Sequence, residues 1–139
     1  MLKAWVDGSY EICRGGTAGY GILVVDETGE ILLQEGKVVG SGPGFSNNVA
    51  EYCAVIRLLE WLPTHYTNAP PKLLVEVYSD SQLLVQQMNL VFKAKKGLYL
   101  PYFLKAMGLL NALRGFVVHF NWIAREENKA ADFLSRNVL

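Results

Sequence analysis

Apolar and polar residues alternate along this chain first with a period of two and later with a period near 3.6. The changes of period mark out its elements. Residues 2–10 set Leu2, Ala4 and Val6 against Lys3, Trp5 and Asp7, the pattern of a strand. Glycines at 15, 16, 19 and 21 predict a turn, and YGILVVD (20–26) a second strand. ETGE (27–30) reads as a tight turn and ILLQEGKVV (31–39) as a third strand, so the first three strands form an antiparallel meander. After a breaker-rich loop (40–48), Tyr52, Val55, Ile56, Leu59 and Leu62 recur at helical spacing over 48–62, with Pro63 expected to stop the helix. Residues 70–79 alternate again as a fourth strand. A strand reached through a helix is expected to lie parallel in the sheet by a right-handed crossover. Residues 80–89 and 98–114 predict helices, 115–123 a fifth strand and 126–138 a last helix. The expected fold is one α/β domain over residues 1–139. It has a mixed five-stranded sheet, three antiparallel strands then parallel ones, in the order β-β-β-α-β-α-α-β-α, with helices on its faces.

Composition narrows the class. The chain is 51% apolar and 19% charged, which is globular and not disordered. No apolar run reaches the ~18 residues that a membrane span needs. The first ten residues lack a long apolar stretch of the signal-peptide kind, so the expected compartment is the cytoplasm, with no membrane partner. Cys13 and Cys53, forty positions apart, make neither a zinc signature nor a disulfide framework. Cys53 falls in the apolar helical pattern and is expected to be buried, Cys13 exposed. The formal net charge is zero, but the charges are segregated. Residues 1–80 carry ten acids and five bases, whereas residues 81–125 carry no acid and six bases: Lys93, Lys95, Lys96, Lys105, Arg114 and Arg125. A basic surface for phosphates beside an acidic metal site would have this form.

Four acids are candidates for that site: Asp7, Glu51, Asp80 and Asp132. Each has an ordinary structural explanation. Asp7 precedes a glycine and could form a turn. Glu51 lies three residues after Asn48, in a pattern like a capping box. Asp80 could cap the helix that follows it. Asp132 could pair with Arg136 one turn on. Their conjunction points elsewhere. Asp7 sits in a strand expected to be central, where an unpaired charge is costly. Asp80 ends a strand expected to be parallel to the first, where sites gather in open α/β sheets. Clustered carboxylates call for a cation, and oxygen donors suit Mg²⁺ or Mn²⁺ better than zinc.

The motifs WVDGSY (5–10), SNNVAEYCAV (46–55), YSDSQLLVQQM (78–88) and REENKAADFLSR (125–136) resemble those of type 1 ribonuclease H, in the same order and over nearly the whole chain. The resemblance implies an endonuclease that hydrolyses the RNA strand of RNA–DNA hybrids, leaving 5′-phosphate and 3′-hydroxyl ends. It implies two Mg²⁺ ions, with Mn²⁺ as a substitute, on Asp7, Glu51, Asp80 and Asp132. By the same resemblance Gly8, Ser9, Asn47, Glu51 and Gln82 meet 2′-hydroxyls and base edges in the minor groove. A 2′-hydroxyl both donates and accepts, and so distinguishes RNA from DNA. No obligate protein partner is implied, and double-stranded RNA is a further candidate substrate.

Three departures from the family pattern stand out. Arg125 occupies the loop position where many relatives carry a histidine. A guanidinium is no base near neutral pH but pairs well with phosphate. His65 and His119 are expected to be structural or surface residues. The long basic handle of many bacterial relatives shrinks here to residues 89–103, leaving Lys93, Lys95 and Lys96 as phosphate contacts and Phe92, Tyr99, Tyr102 and Phe103 mainly for packing. The family's early asparagine has no match, since Cys13 and Arg14 occupy that neighbourhood. The alternatives are a non-catalytic nucleic-acid-binding module of the same fold, or a strand-transfer enzyme acting on DNA.

Overall fold

The structure is a computed structural model that describes residues 1–12, 15–66, 72–94 and 96–137. Its strands are β1 (Leu2–Glu11), β2 (Thr17–Val25), β3 (Ile31–Ser41), β4 (Leu73–Ser79) and β5 (Phe116–Trp122). Its α-helices are α1 (Asn47–His65), α2 (Gln82–Met88), α3 (Leu100–Ala112) and α4 (Lys129–Arg136), with a 3₁₀ turn at Arg125–Glu127. The sheet order is β3-β2-β1-β4-β5. β1 pairs antiparallel with β2 and parallel with β4, and β5 runs parallel to β4. The expected mixed sheet and element order are both present.

Period two in β1 separates its faces. Leu2, Ala4, Val6 and Gly8 face α1, while Trp5, Asp7 and Ser9 face the side that α4 covers. α1 buries Val55, Leu58, Leu59 and Leu62 against Val6, Ile22, Val75 and Val77, and this is the main core. α3 packs on α1, where Phe103 meets the Tyr52 ring edge-on. Tyr52 also donates to Gln87 at 2.5 Å, which ties α1 to α2 through a buried polar pair. Among the described residues no helix is long and apolar enough to cross a membrane.

Several local expectations need correction. β2 begins at Thr17, three residues before its expected start, so Gly19 lies inside the strand and not in the turn. α1 continues past Pro63 to His65. A proline in the last turn sacrifices only its own amide bond, and the Tyr66 amide still closes onto the Leu62 carbonyl. The last helix begins at Lys129, because residues 125–127 take the tighter 3₁₀ form. Cys53 is half-buried, not fully buried. Cys13, Arg14, Lys95, the first two residues of the predicted fourth strand and residue 138 lie outside the described residues.

Serines cap α1 and α2. Ser46 accepts from the Val49 amide and Ser81 from the Leu84 amide, each at 3.2 Å. Ser46→Ala should therefore lower stability by about 1 kcal/mol, read as a shift of the urea midpoint with an unchanged slope.

Candidate active site

Strand register brings the first two acids together. Trp5 pairs with Tyr78 across β1 and β4, and their rings stack at 5.4 Å. Two residues further along each chain, on the same side, stand Asp7 and Asp80. β4 ends at Ser79 while β1 continues, so Asp80 sits at the carboxyl end of a parallel strand, beside an Asp7 that has no β4 residue next to it.

Two glycines admit the other two acids. A side chain on Gly8 would overlap the Glu51 nitrogen and lie 2.6 Å from the Ala50 carbonyl carbon. Its absence lets the first turns of α1 rest on β1 and carry Glu51 to the site. Gly21, paired with Asp7, plays the same part for α4. A Cβ there would overlap the Ala131 carbonyl and lie 2.7 Å from the Ser135 nitrogen. The Ser9 hydroxyl donates to the Ser135 carbonyl at 2.9 Å and holds α4 down.

One oxygen each from Asp7, Glu51 and Asp80 lie within 4.8 Å of one another. Asp132 joins this group through a hydrogen bond with Asp7. The ordinary explanations for three of the acids now fail. Asp7 is inside a strand, and the caps credited to Glu51 and Asp80 belong to Ser46 and Ser81. Asp132 does form the expected pair with Arg136, at 2.8 Å, while Arg136 also meets Glu11 at 2.8 Å.

The electrostatics describe a site short of positive charge. Burial, then the charge of Asp80 and the hydrogen bond with Asp132, push the Asp7 carboxyl up to about 8. Burial raises Glu51 to about 7, assisted by Asp80 and opposed by a Ser81 hydrogen bond and by Arg125. Burial acts upward on Asp132 as well, but Arg136, the Asp7 hydrogen bond and Arg125 outweigh it and hold that carboxyl below its ordinary range. The hydrogen bond between them thus favours the protonated form of Asp7 and the ionised form of Asp132. The Glu51 Oε2 atom is buried with no hydrogen-bond partner. Crowded carboxylates, one of them pushed towards its protonated form by its neighbours and another with an orphaned oxygen, fit a divalent cation. The all-oxygen donor set suits Mg²⁺ or Mn²⁺.

The remaining candidates divide. Asn47 and Gln82 open α1 and α2, exposed, one turn from Glu51 and two residues from Asp80 respectively. Arg125 is exposed on the 3₁₀ turn, and its charge acts on both Glu51 and Asp132. Lys93 and Lys96 are exposed beyond α2. Ser9 is 3% exposed, and its hydroxyl is engaged on α4. Gly8 serves first as clearance for α1. His65 stacks on Trp61 and His119 pairs with Glu76, both in structural or surface roles.

Two residues at the site were missed from sequence. Asn128 is 1% exposed, and its Nδ2 donates to the Val6 carbonyl at 3.0 Å and to Asp80 Oδ2 at 3.3 Å. Trp122, half exposed, donates its indole N–H to the Asp80 carbonyl at 3.2 Å. Asn128 lies inside the REENKAADFLSR motif and Trp122 three residues before it, but no local pattern singles out either.

Known proteins share this fold. The reverse transcriptase-like family model matches residues 5–138. Bifunctional protein Rv2228c of Mycobacterium tuberculosis is 31% identical over 126 residues, 89% of this chain but 32% of the relative. The chain thus spans about a third of the length of the curated relatives it matches. Among solved structures, LC11-RNase H1 from a compost metagenome, in complex with RNA/DNA hybrid, superposes with a TM-score of 0.87 at 33% identity, covering 99% of this chain and 96% of that one. The N-terminal RNase H domain of Rv2228c, fused to maltose-binding protein, gives 0.79 at 28%, covering 99% and 97%. RNase H1 from the halophilic archaeon Halobacterium salinarum gives 0.78 at 26%, covering 97% and 94%. With its sheet order, its acid cluster and these likenesses over nearly its full length, the chain belongs to the reverse transcriptase-like family, in its type 1 ribonuclease H branch.

Proposed function

We propose that residues 1–139 form one catalytic domain that cleaves the RNA strand of RNA–DNA hybrids endonucleolytically, leaving 5′-phosphate and 3′-hydroxyl ends. The observation that carries this reading is the triad Asp7, Glu51 and Asp80, three carboxylates within 4.8 Å, in the fold of a relative solved with such a hybrid. Asp7, Glu51, Asp80 and Asp132 would hold two Mg²⁺ ions, with Mn²⁺ as a substitute. When bound, such ions activate water and neutralise charge on the departing oxygen.

The chain's own residues do the rest. Asp7 and Asp80 lie at the centre of the cluster, with Glu51 on the α1 side and Asp132 on the α4 side. Asn47 and Gln82 present amides able to donate to and accept from a 2′-hydroxyl. The scissile strand is therefore read as RNA next to the acids that cut it. Lys93, Lys95 and Lys96 meet phosphates as point charges, and Arg125 meets one at the rim, where its charge already acts on Glu51 and Asp132.

Labelled RNA–DNA hybrid, double-stranded RNA and duplex DNA, each with Mg²⁺, with Mn²⁺ and with EDTA, test this reading. Cleavage of the hybrid RNA strand to 5′-phosphate ends, lost in EDTA, is the expected result. Tight binding with no cleavage under either metal overturns it in favour of a binding module. Arg125→Ala should raise KM for the hybrid several-fold and reduce the salt dependence of binding by about one phosphate contact. It should leave the pH profile of kcat in place, because a guanidinium does not exchange protons near neutrality.

A further inference from the structure

We infer that Asn128 is a positioning residue, a single buried amide that sets the mutual placement of Asp7, Asp80 and Asp132; the inference rests on the acid cluster being the metal site of the nuclease proposed above. Its Nδ2 carries two hydrogens, and both are committed, one to the carbonyl of Val6, next to Asp7, and one to the Asp80 carboxylate. Its backbone carbonyl accepts the Asp132 amide at 3.1 Å, closing the first turn of α4. The side chain of one residue at the start of α4 thus ties together β1 and the end of β4, which are far apart in sequence.

The ordinary role for an asparagine at this position would be to cap α4. Asn128 is the N-cap residue, yet its side chain makes no capping bond. Its Oδ1 is also buried without a partner. An amide kept for the fold alone would satisfy its acceptor, or cap the helix, or both. This one leaves both undone and spends its donors on the site. Partners behind a metal's ligands fix their orientation, and losing one typically costs 10–100-fold in affinity or activity.

The experiment measures Mn²⁺ binding calorimetrically without substrate, kcat and KM on the hybrid, and the side-chain amide resonances of Asn128 in the wild-type protein during Mg²⁺ titration. Asn128→Ala is expected to weaken Mn²⁺ binding about 10–100-fold and to lower kcat by a similar factor, with KM for the hybrid within about twofold. The wild-type Asn128 amide should exchange slowly with solvent and shift as Mg²⁺ is added. Wild-type Mn²⁺ affinity in Asn128→Ala, or a loss confined to KM, overturns the inference. If Asn128→Ala does not fold, the wild-type resonances decide, and an amide that ignores Mg²⁺ overturns it. A wild-type protein that binds Mn²⁺ but leaves the hybrid intact overturns the nuclease reading alone, and the metal and amide measurements still decide the role of Asn128.

Discussion

Asp7→Asn should abolish hybrid cleavage, by roughly 10³-fold or more on the scale of losing a charge-stabilising group at a reaction centre, and should at the same time make the metal-free protein more stable. The two effects have one cause. Asp7 is 5% exposed, and burial with the neighbouring acids raises its carboxyl from 3.8 to about 8. Across that window the folded chain holds a proton that the unfolded chain has released, so this group's contribution to stability is best in acid and falls as pH rises towards 8. Each pH unit of the window is worth ~1.4 kcal/mol, so the penalty near pH 7 is on the order of a few kcal/mol. An asparagine of the same shape removes the titration and still offers an N–H to Asp132. Urea melts in EDTA at pH 5, 7 and 9 should show the variant's advantage growing with pH. Added Mg²⁺ should stabilise the wild type and leave the variant unchanged. A variant that still cuts the hybrid, or that is less stable than wild type at pH 7, would falsify this account of the site.

What was legible in the sequence was what is local. Period two in residues 2–10 and apolar spacing in 48–62 are each written within one segment, and such patterns yielded the strands, the helices and their order along the chain. The four acids were legible as candidates, but the choice between metal site and helix caps was not, because Ser46 and Ser81 are each as good a cap as their neighbours. Only the hydrogen bonds to Val49 and Leu84 assign the capping, and that assignment frees Glu51 and Asp80. Asn128 stayed hidden for a different reason. Its partners, Val6 and Asp80, lie 122 and 48 residues away, and no local pattern records a contact at that range. Gly19 misled for the opposite reason. Its local signal is that of a turn, and it is overridden by pairing with Ser9 across β1 and β2.

Gly21→Ala should be among the most damaging single methyl groups that can be added to this fold. The residue lies in β2 opposite Asp7, so the added Cβ would point at α4. There it would overlap the Ala131 carbonyl and come within 2.7 Å of the Ser135 nitrogen and 2.8 Å of Leu134 Cβ. Two of these three atoms belong to helix backbone, so no flexible side-chain end can swing aside, and α4 must move as a body. That helix is held to β1 by Ser9 and through Asn128 to Val6, and Arg136 reaches Glu11. A shift strains all three links and draws Asp132 away from Asp7. Overpacking of a close contact costs about 1–3 kcal/mol, and the lost links should bring Gly21→Ala to the upper end of that range. Gly108→Ala supplies the contrast, since that glycine is exposed within α3 and a Cβ there meets nothing within 4 Å. It should gain up to about 1 kcal/mol from helix propensity alone, with cleavage unchanged. Thermal melts and hybrid cleavage on the two variants separate clearance from propensity. If Gly21→Ala matches wild type in both, α4 does not depend on this close approach, and its delivery of Asp132 to the site must rest on the Ser9 and Asn128 hydrogen bonds instead.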